Sequence, residues 1–187
     1  NIVIAGADAH GIVAQSLGSA GNGNVVVTVE SGSVVGGSGS GVGIKLLDGN
    51  ANSITNHGSI GALSNNAIVG GSGADTVYNH GSIVGNVDLG AGSNGFDNGT
   101  GGVLTSLGTI ALGAGRTFAN TGTLSPGGPG LAQTTALTGN LEQTGSGVLA
   151  LDVSLAGQSS DRLDVSGSAD VGGGIRLNPI DTGQVHT

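Results

Sequence analysis

Two histidines stand at matching places in two copies of one short word, Asn56-His57-Gly58-Ser59-Ile60 and Asn79-His80-Gly81-Ser82-Ile83. Imidazoles stacked in this way could share a metal ion if a carboxylate joined them. The aligned copies put no Asp or Glu at that place, so the pair reads as a solvent-facing polar ladder. His10 and His186, near the two ends, read as surface residues. The stretch Gly70-Gly71-Ser72-Gly73-Ala74-Asp75-Thr76-Val77 fits the calcium-binding word G-G-x-G-x-D-x-U. Calcium in such words sits between successive turns, so a single copy lacks its partner. The nearest echo, Leu89 to Phe96, has Asn94 and Gly95 where the carboxylate would fall. An ordinary Gly-rich corner is therefore expected at Asp75. Gly90-Ala91-Gly92-Ser93-Asn94-Gly95 matches G-x-G-x-x-G, but no helix pattern follows to aim backbone amides at a pyrophosphate. Acid–base work on a sugar needs clustered carboxylates. The middle of the chain offers only Asp75, Asp88 and Asp97, on different copies, with Arg116 nearby in sequence. These observations assign no catalytic, cofactor-binding or metal-ligating residue.

The elements that would carry these residues are constrained by composition. Of 187 residues, 41 are Gly, and only 9% are charged, against about 25% in an ordinary domain. Mean hydropathy is +0.22, too apolar for a solvated coil. The aromatic residues are Tyr78, Phe96 and Phe118, so no core can rest on large side chains. Val, Ile, Leu and Ala must be buried in thin, regular layers. The net charge of −8, with Lys45, Arg116, Arg162 and Arg176 scattered, argues against nucleic acid as a partner. Apolar runs are too short to insert this segment in a membrane, and no signal peptide is present. With Asn1 leading straight into Ile2-Val3-Ile4, the sequence reads as a piece of a longer chain.

Internal repeats set the architecture. Thr28-Val29-Glu30-Ser31-Gly32-Ser33-Val34 aligns with Ile54–Ile60 and Val77–Ile83, and Phe118–Leu124 keeps the frame. Phe96-Asp97-Asn98-Gly99 is a looser copy. Each unit is a short β-branched strand, a polar bend and another short strand, at a period of roughly 20–25 residues. Short strands with Gly and Asn corners predict an all-β fold, a parallel β-helix of stacked coils about 4.8 Å apart. Asn56, Asn79, Asn98 and Asn120 should then lie in one column, their amides bonded along the axis. Ile60 should face the core.

The tail has longer strands. In Val148 to Leu155, Leu149, Leu151, Val153 and Leu155 alternate with Val148, Ala150, Asp152 and Ser154, a two-residue period. Six of the twelve acidic residues, from Glu142 to Asp181, fall in this tail. Division into coils over 1–136 and a C-terminal β cap over 137–187 is expected, because a bare last coil exposes backbone edges.

The segments Gly122-Thr123-Leu124-Ser125-Pro126-Gly127-Gly128, Leu137-Thr138-Gly139-Asn140-Leu141, Val148–Leu155 and Ser160-Asp161-Arg162-Leu163-Asp164-Val165-Ser166-Gly167-Ser168-Ala169 resemble, in that order, the C-terminal passenger region of bacterial autotransporters (type V secretion). The upstream Leu89–Asn98 is similar to that family's spacer coils. The resemblance implies a right-handed β-helix, display on a Gram-negative cell surface, and an autochaperone region from about Leu137. It also implies an outer-membrane β-barrel translocator downstream as partner, with a host-surface or cell–cell adhesion partner for the passenger. It does not imply the passenger's own activity. A structural or adhesive role is expected; the alternatives are a calcium-stabilised β-roll and a β-helix polysaccharide lyase or hydrolase.

Overall fold

The computed structural model describes residues 6–19 and 21–181; His186 and Ile2-Val3-Ile4 lie outside them. All regular elements among the described residues are β-strands. Short runs of Val, Ile and Thr fit a pleated, half-buried surface, and the glycines between them keep any helix from propagating. The strands form a 13-stranded and a 7-stranded sheet. The smaller sheet stacks Val26–Val29, Ala51–Asn56, Ala74–Asn79, Gly95–Asn98, Thr117–Asn120, Asn140–Gln143 and Ala169–Val171, each parallel to the next. The chain is a β-solenoid of about 6 turns, as the repeats predict. At about 4.8 Å per rung the stack is roughly 30 Å long.

Three apolar columns run along the axis. Val27, Ile54, Val77, Phe96, Phe118 and Leu141 stack in the smaller sheet. Val35, Ile60, Ile83, Leu104, Leu124 and Leu149 form the second column. Ile44, Ile68, Val87, Ile110 and Leu137 form the third. All of these side chains are buried, so Ile60 faces the core as expected. The wide middle of the first column is filled by Phe96 and Phe118, whose ring centroids lie 5.0 Å apart.

Along the first column the sequence intervals are 27, 23, 19, 22, 23 and 28 residues, ending at Ala169. The columns keep register because the corners absorb every difference in length. One correction follows for the first copy. Val29, not Glu30, pairs with Asn56, and Val34 pairs with Ser59. The corner Glu30-Ser31-Gly32-Ser33 is two residues longer than His57-Gly58, and its Ser33 N–H donates to Glu30 O to close the turn. Sequence alignment without a gap had hidden that insertion.

Glycine in the Asn-x-Gly corner is a matter of space. A Cβ on Gly81 would sit 2.2 Å from Gly58 O, and one on Gly122 would sit 2.3 Å from Gly102 O. Successive corners therefore touch backbone to backbone.

The columns pass position 136 unbroken. Thr134–Thr138 pairs with Thr109–Ala111 on one side and Arg162–Val165 on the other, and Val148–Ser154 pairs with Gly174–Asp181. The two-residue alternation of the tail strand is modified. Leu149 is buried, but so are Ala150 and Asp152 of the opposite face, whereas Leu155 is exposed. The loop around Pro129 covers that outer face and takes Asp152 out of water.

Candidate functional site, a buried amide ladder

The column beside the first apolar one is polar. Asn56, Asn79, Asn98, Asn120 and Gln143 occupy it in sequence and are all 0% exposed. Each Asn amide nitrogen donates to the carbonyl oxygen of the next coil's amide: Asn56 to Asn79, Asn79 to Asn98 and Asn98 to Asn120 at 2.8 Å, and Asn120 to Gln143 at 2.9 Å. The second N–H of each donates to a backbone carbonyl across the corner, Ser82 O, Val103 O, Thr123 O and Val148 O respectively. The predicted column of four asparagines is thus present, and Gln143 extends it. Its longer side chain reaches Gly172 O at 2.8 Å and Gly174 O at 3.0 Å, which ends the ladder. The same column carries Val29 before it and Val171 after it. All five amides point the same way along the axis, so their hydrogen bonds polarise one another.

A second buried polar row contains the sequence's calcium candidate. Asp75 lies between Asn52 and Asn94, with no solvent exposure. Its Oδ1 accepts from Asn52 Nδ2 at 2.7 Å and its Oδ2 from Gly71 N at 3.1 Å. Asn94 Oδ1 accepts from Asp75 N at 2.9 Å. Burial raises the Asp75 pKa, with the bonds from Asn52 and Gly71 opposing the shift. Both carboxylate oxygens are turned inward, and Asp75 works as a corner brace.

His57 and His80 do stack, with centroids 5.4 Å apart and planes 13° from parallel, on the exposed side of the corner. With the register corrected, Glu30 follows Val29 as His57 follows Asn56. No three His, Asp or Glu side chains form a metal-ligating group among the described residues. His10 is half-buried rather than superficial, and its Nδ1 accepts from Val42 N at 2.9 Å.

Asp88 and Asp97 lie on different sheets, the first opposite Val69 and Ala111, the second opposite Tyr78 and Ala119. They form no carboxylate pair. The pair that does exist, Asp152 and Asp161, escaped sequence reasoning. Asp161 accepts from Asp152 N and Gln133 N, each at 2.8 Å. Asp152 accepts from Gly130 N, from Leu131 N at 3.2 Å and from Asn178 Nδ2 at 2.7 Å. Burial raises the Asp161 pKa, and the neighbouring Asp152 charge adds to it. A shallow concavity of about 320 Å³ runs past Thr105, Ser125, Pro129, Asp152 and Arg176. Asp152 takes two loop amides, Gly130 N and Leu131 N, and the Asn178 side chain of the last strand, so the acid pair clamps the Gly-Pro loop to the tail. No family model, curated protein or solved structure matches this chain.

Proposed function

We propose that this chain is a surface-displayed passenger segment of an autotransporter-like protein, with a structural or adhesive role and no catalysis. The observation that carries the reading is the one-directional amide ladder ending in the tail. Each coil offers its N-terminal neighbour an amide oxygen already fixed in place, beginning with Gln143 Oε1 for Asn120. Gln143 is itself held by Gly172 O and Gly174 O. Residues 137–187 then act as the template on which residues 1–136 are laid coil by coil, the ordering that outward secretion through a downstream β-barrel would use. Inward-turned Asp75, the separation of Asp88 from Asp97, and the loop-bound Asp152–Asp161 pair support a non-enzymatic role.

Deletion of 137–187, followed by circular dichroism and protease digestion of 1–136, tests the template. A poorly folded, protease-sensitive product is expected. Cooperative, resistant β structure in 1–136 alone would refute it. Display is tested by expressing the chain within its natural reading frame in a Gram-negative host. External protease should cleave it on intact cells; complete protection would overturn the surface assignment. Reducing-sugar release from acidic glycans would establish the lyase or hydrolase reading instead, and an EDTA-dependent melting curve the calcium-stabilised one.

A further inference from the structure

The stacked histidines stand on a rigid mount. His57 N donates to Val29 O and His80 N to Asn56 O, each at 2.8 Å, and Gly99 N donates to Asn79 O at 2.9 Å. The residues before them, Asn56 and Asn79, are buried and joined amide to amide at 2.8 Å. The two imidazoles are therefore carried outward from adjacent rungs of fixed register, about 4.8 Å apart. Both rings are exposed, with centroids 5.4 Å apart and planes 13° from parallel. The next rung leaves them room. A Cβ on Gly99 would lie 2.5 Å from His80 Cε1 and 2.6 Å from His80 Nδ1, so a side chain there would collide with the ring.

Two neutral imidazoles held side by side can chelate a divalent transition ion. Imidazole suits Cu²⁺, Ni²⁺ and Zn²⁺, whereas Ca²⁺ and Mg²⁺ take oxygen ligands. Metal–nitrogen bonds are about 2.0–2.1 Å, so the two ligating nitrogens must come within about 4 Å of each other. Rings at 5.4 Å reach that spacing by turning about the χ angles of two exposed side chains, while the backbone keeps its register. Water completes the coordination, so two imidazoles suffice without a carboxylate. The local charge also favours a cation. The corners over 30–33, 57–58, 80–81, 99–102, 121–122 and 144–147 contain no Lys or Arg, and the net charge of the chain is −8.

We propose that His57 and His80 form a two-histidine site for a divalent transition-metal ion, with Cu²⁺ bound most tightly, on the outer side of the Asn-x-Gly corners. The two residues stand 23 positions apart in sequence and meet only when their coils pair. An ion held by both bridges two rungs and stabilises the stack by mass action. The site depends neither on surface display nor on the tail acting as a template.

Calorimetric titration of the intact chain with copper(II) chloride in a non-coordinating buffer provides the test, with electron paramagnetic resonance of the loaded sample. One Cu²⁺ per chain, bound by two imidazole nitrogens, is expected, and the melting temperature should rise with the ion. His57→Gln and His80→Gln should each weaken binding by roughly tenfold or more, because the second ligand is no longer held close to the first. His10→Gln and His186→Gln should bind as the parent does. Excess Ca²⁺ should not compete, which separates this site from the calcium-stabilised reading. In the parent chain itself, a trace of Cu²⁺ should broaden the ring-proton resonances of His57 and His80 before those of His10, a readout that needs no variant to fold. Unchanged binding in His57→Gln or His80→Gln, a spectrum with a single nitrogen, broadening that starts at another histidine, or equal affinity for the urea-unfolded chain would each overturn the proposal.

Discussion

Replacing Asn98 with Ala removes the middle of the ladder, and the structure sets the size of the effect. Asn98 Oδ1 accepts from Asn79 Nδ2, and its Nδ2 donates to Asn120 Oδ1 at 2.8 Å and to Thr123 O at 3.0 Å. After truncation, Asn79 Nδ2 keeps Val103 O at 3.2 Å, but Asn120 Oδ1 and Thr123 O lose this donor inside a dry column. A buried polar group left bare costs about 1–3 kcal/mol, so Asn98→Ala should lose about 4 kcal/mol. Asn56→Ala at the start of the ladder should lose a similar amount: Asn79 Oδ1 still accepts from Gly81 N at 3.3 Å, but Gly58 N and Ser82 O lose the Asn56 amide as partner. Asn98→Asp adds a signature in pH. A carboxylate there opposes Asn120 Oδ1 without a proton, and its folded pKa must rise above its unfolded one. Its penalty is full at neutral pH and shrinks as pH falls through the folded pKa, where the protonated acid can donate again. Urea unfolding followed by circular dichroism at neutral and acid pH reads both effects. A loss below about 1 kcal/mol for Asn98→Ala, with the β signal intact, would refute the claim that the ladder stabilises the stack.

Ile60, 2% exposed between Val35 and Ile83, should on change to Asp cost about 4 kcal/mol or more, read as a lower urea midpoint. Gly81→Ala places a methyl 2.2 Å from Gly58 O, and the forced backbone shift should cost about 3 kcal/mol in the same assay. Ser106 Oγ is buried without a partner, so Ser106→Ala should leave stability unchanged or raise it by up to about 1 kcal/mol. Burial raises the pKa of Asp75 and Asp161, so each binds its proton more tightly folded than unfolded. Their cost is full at neutral pH, relaxes as pH falls through the folded pKa and is gone below the unfolded one; Asp75→Asn should reduce that gain on acidification, measured by thermal melts across the range.

Much of the fold was legible because its signals are local words. Asn-x-Gly at Asn56, Asn79 and Asn120, with the looser Asn98-Gly99, records at once an amide for the axis and a corner without room for Cβ. Gln143 was missed because the column needs an amide, not an asparagine, and its longer side chain reaches the Gly172 and Gly174 carbonyls of the next coil. The first copy was misaligned because column register fixes strands and leaves corners free to vary, so Glu30-Ser31-Gly32 imitated a word it does not belong to. The Asp152–Asp161 clamp could not be seen at all. It joins the Gly130–Gln133 loop to a strand some twenty residues later, and nothing in either segment alone marks the contact. The alternation from Val148 to Leu155 gave the strand correctly, but a loop covering its outer face buries Asp152, and the strand ends at Ser154, which leaves Leu155 exposed in the turn that follows.

The central claim is that the coils from the first copy to the tail share one register. Thr55, Tyr78, Asp97, Ala119, Glu142 and Asp170 form a single outward column of five steps. The chain has no cysteine, so spin labels can be attached solely at Thr55→Cys and Asp170→Cys. At about 4.8 Å per step their backbones should lie about 24 Å apart, and pulsed electron–electron resonance should give one narrow distance distribution near that value, widened by the label arms. A broad distribution, or a separation well beyond about 40 Å, would contradict the stack.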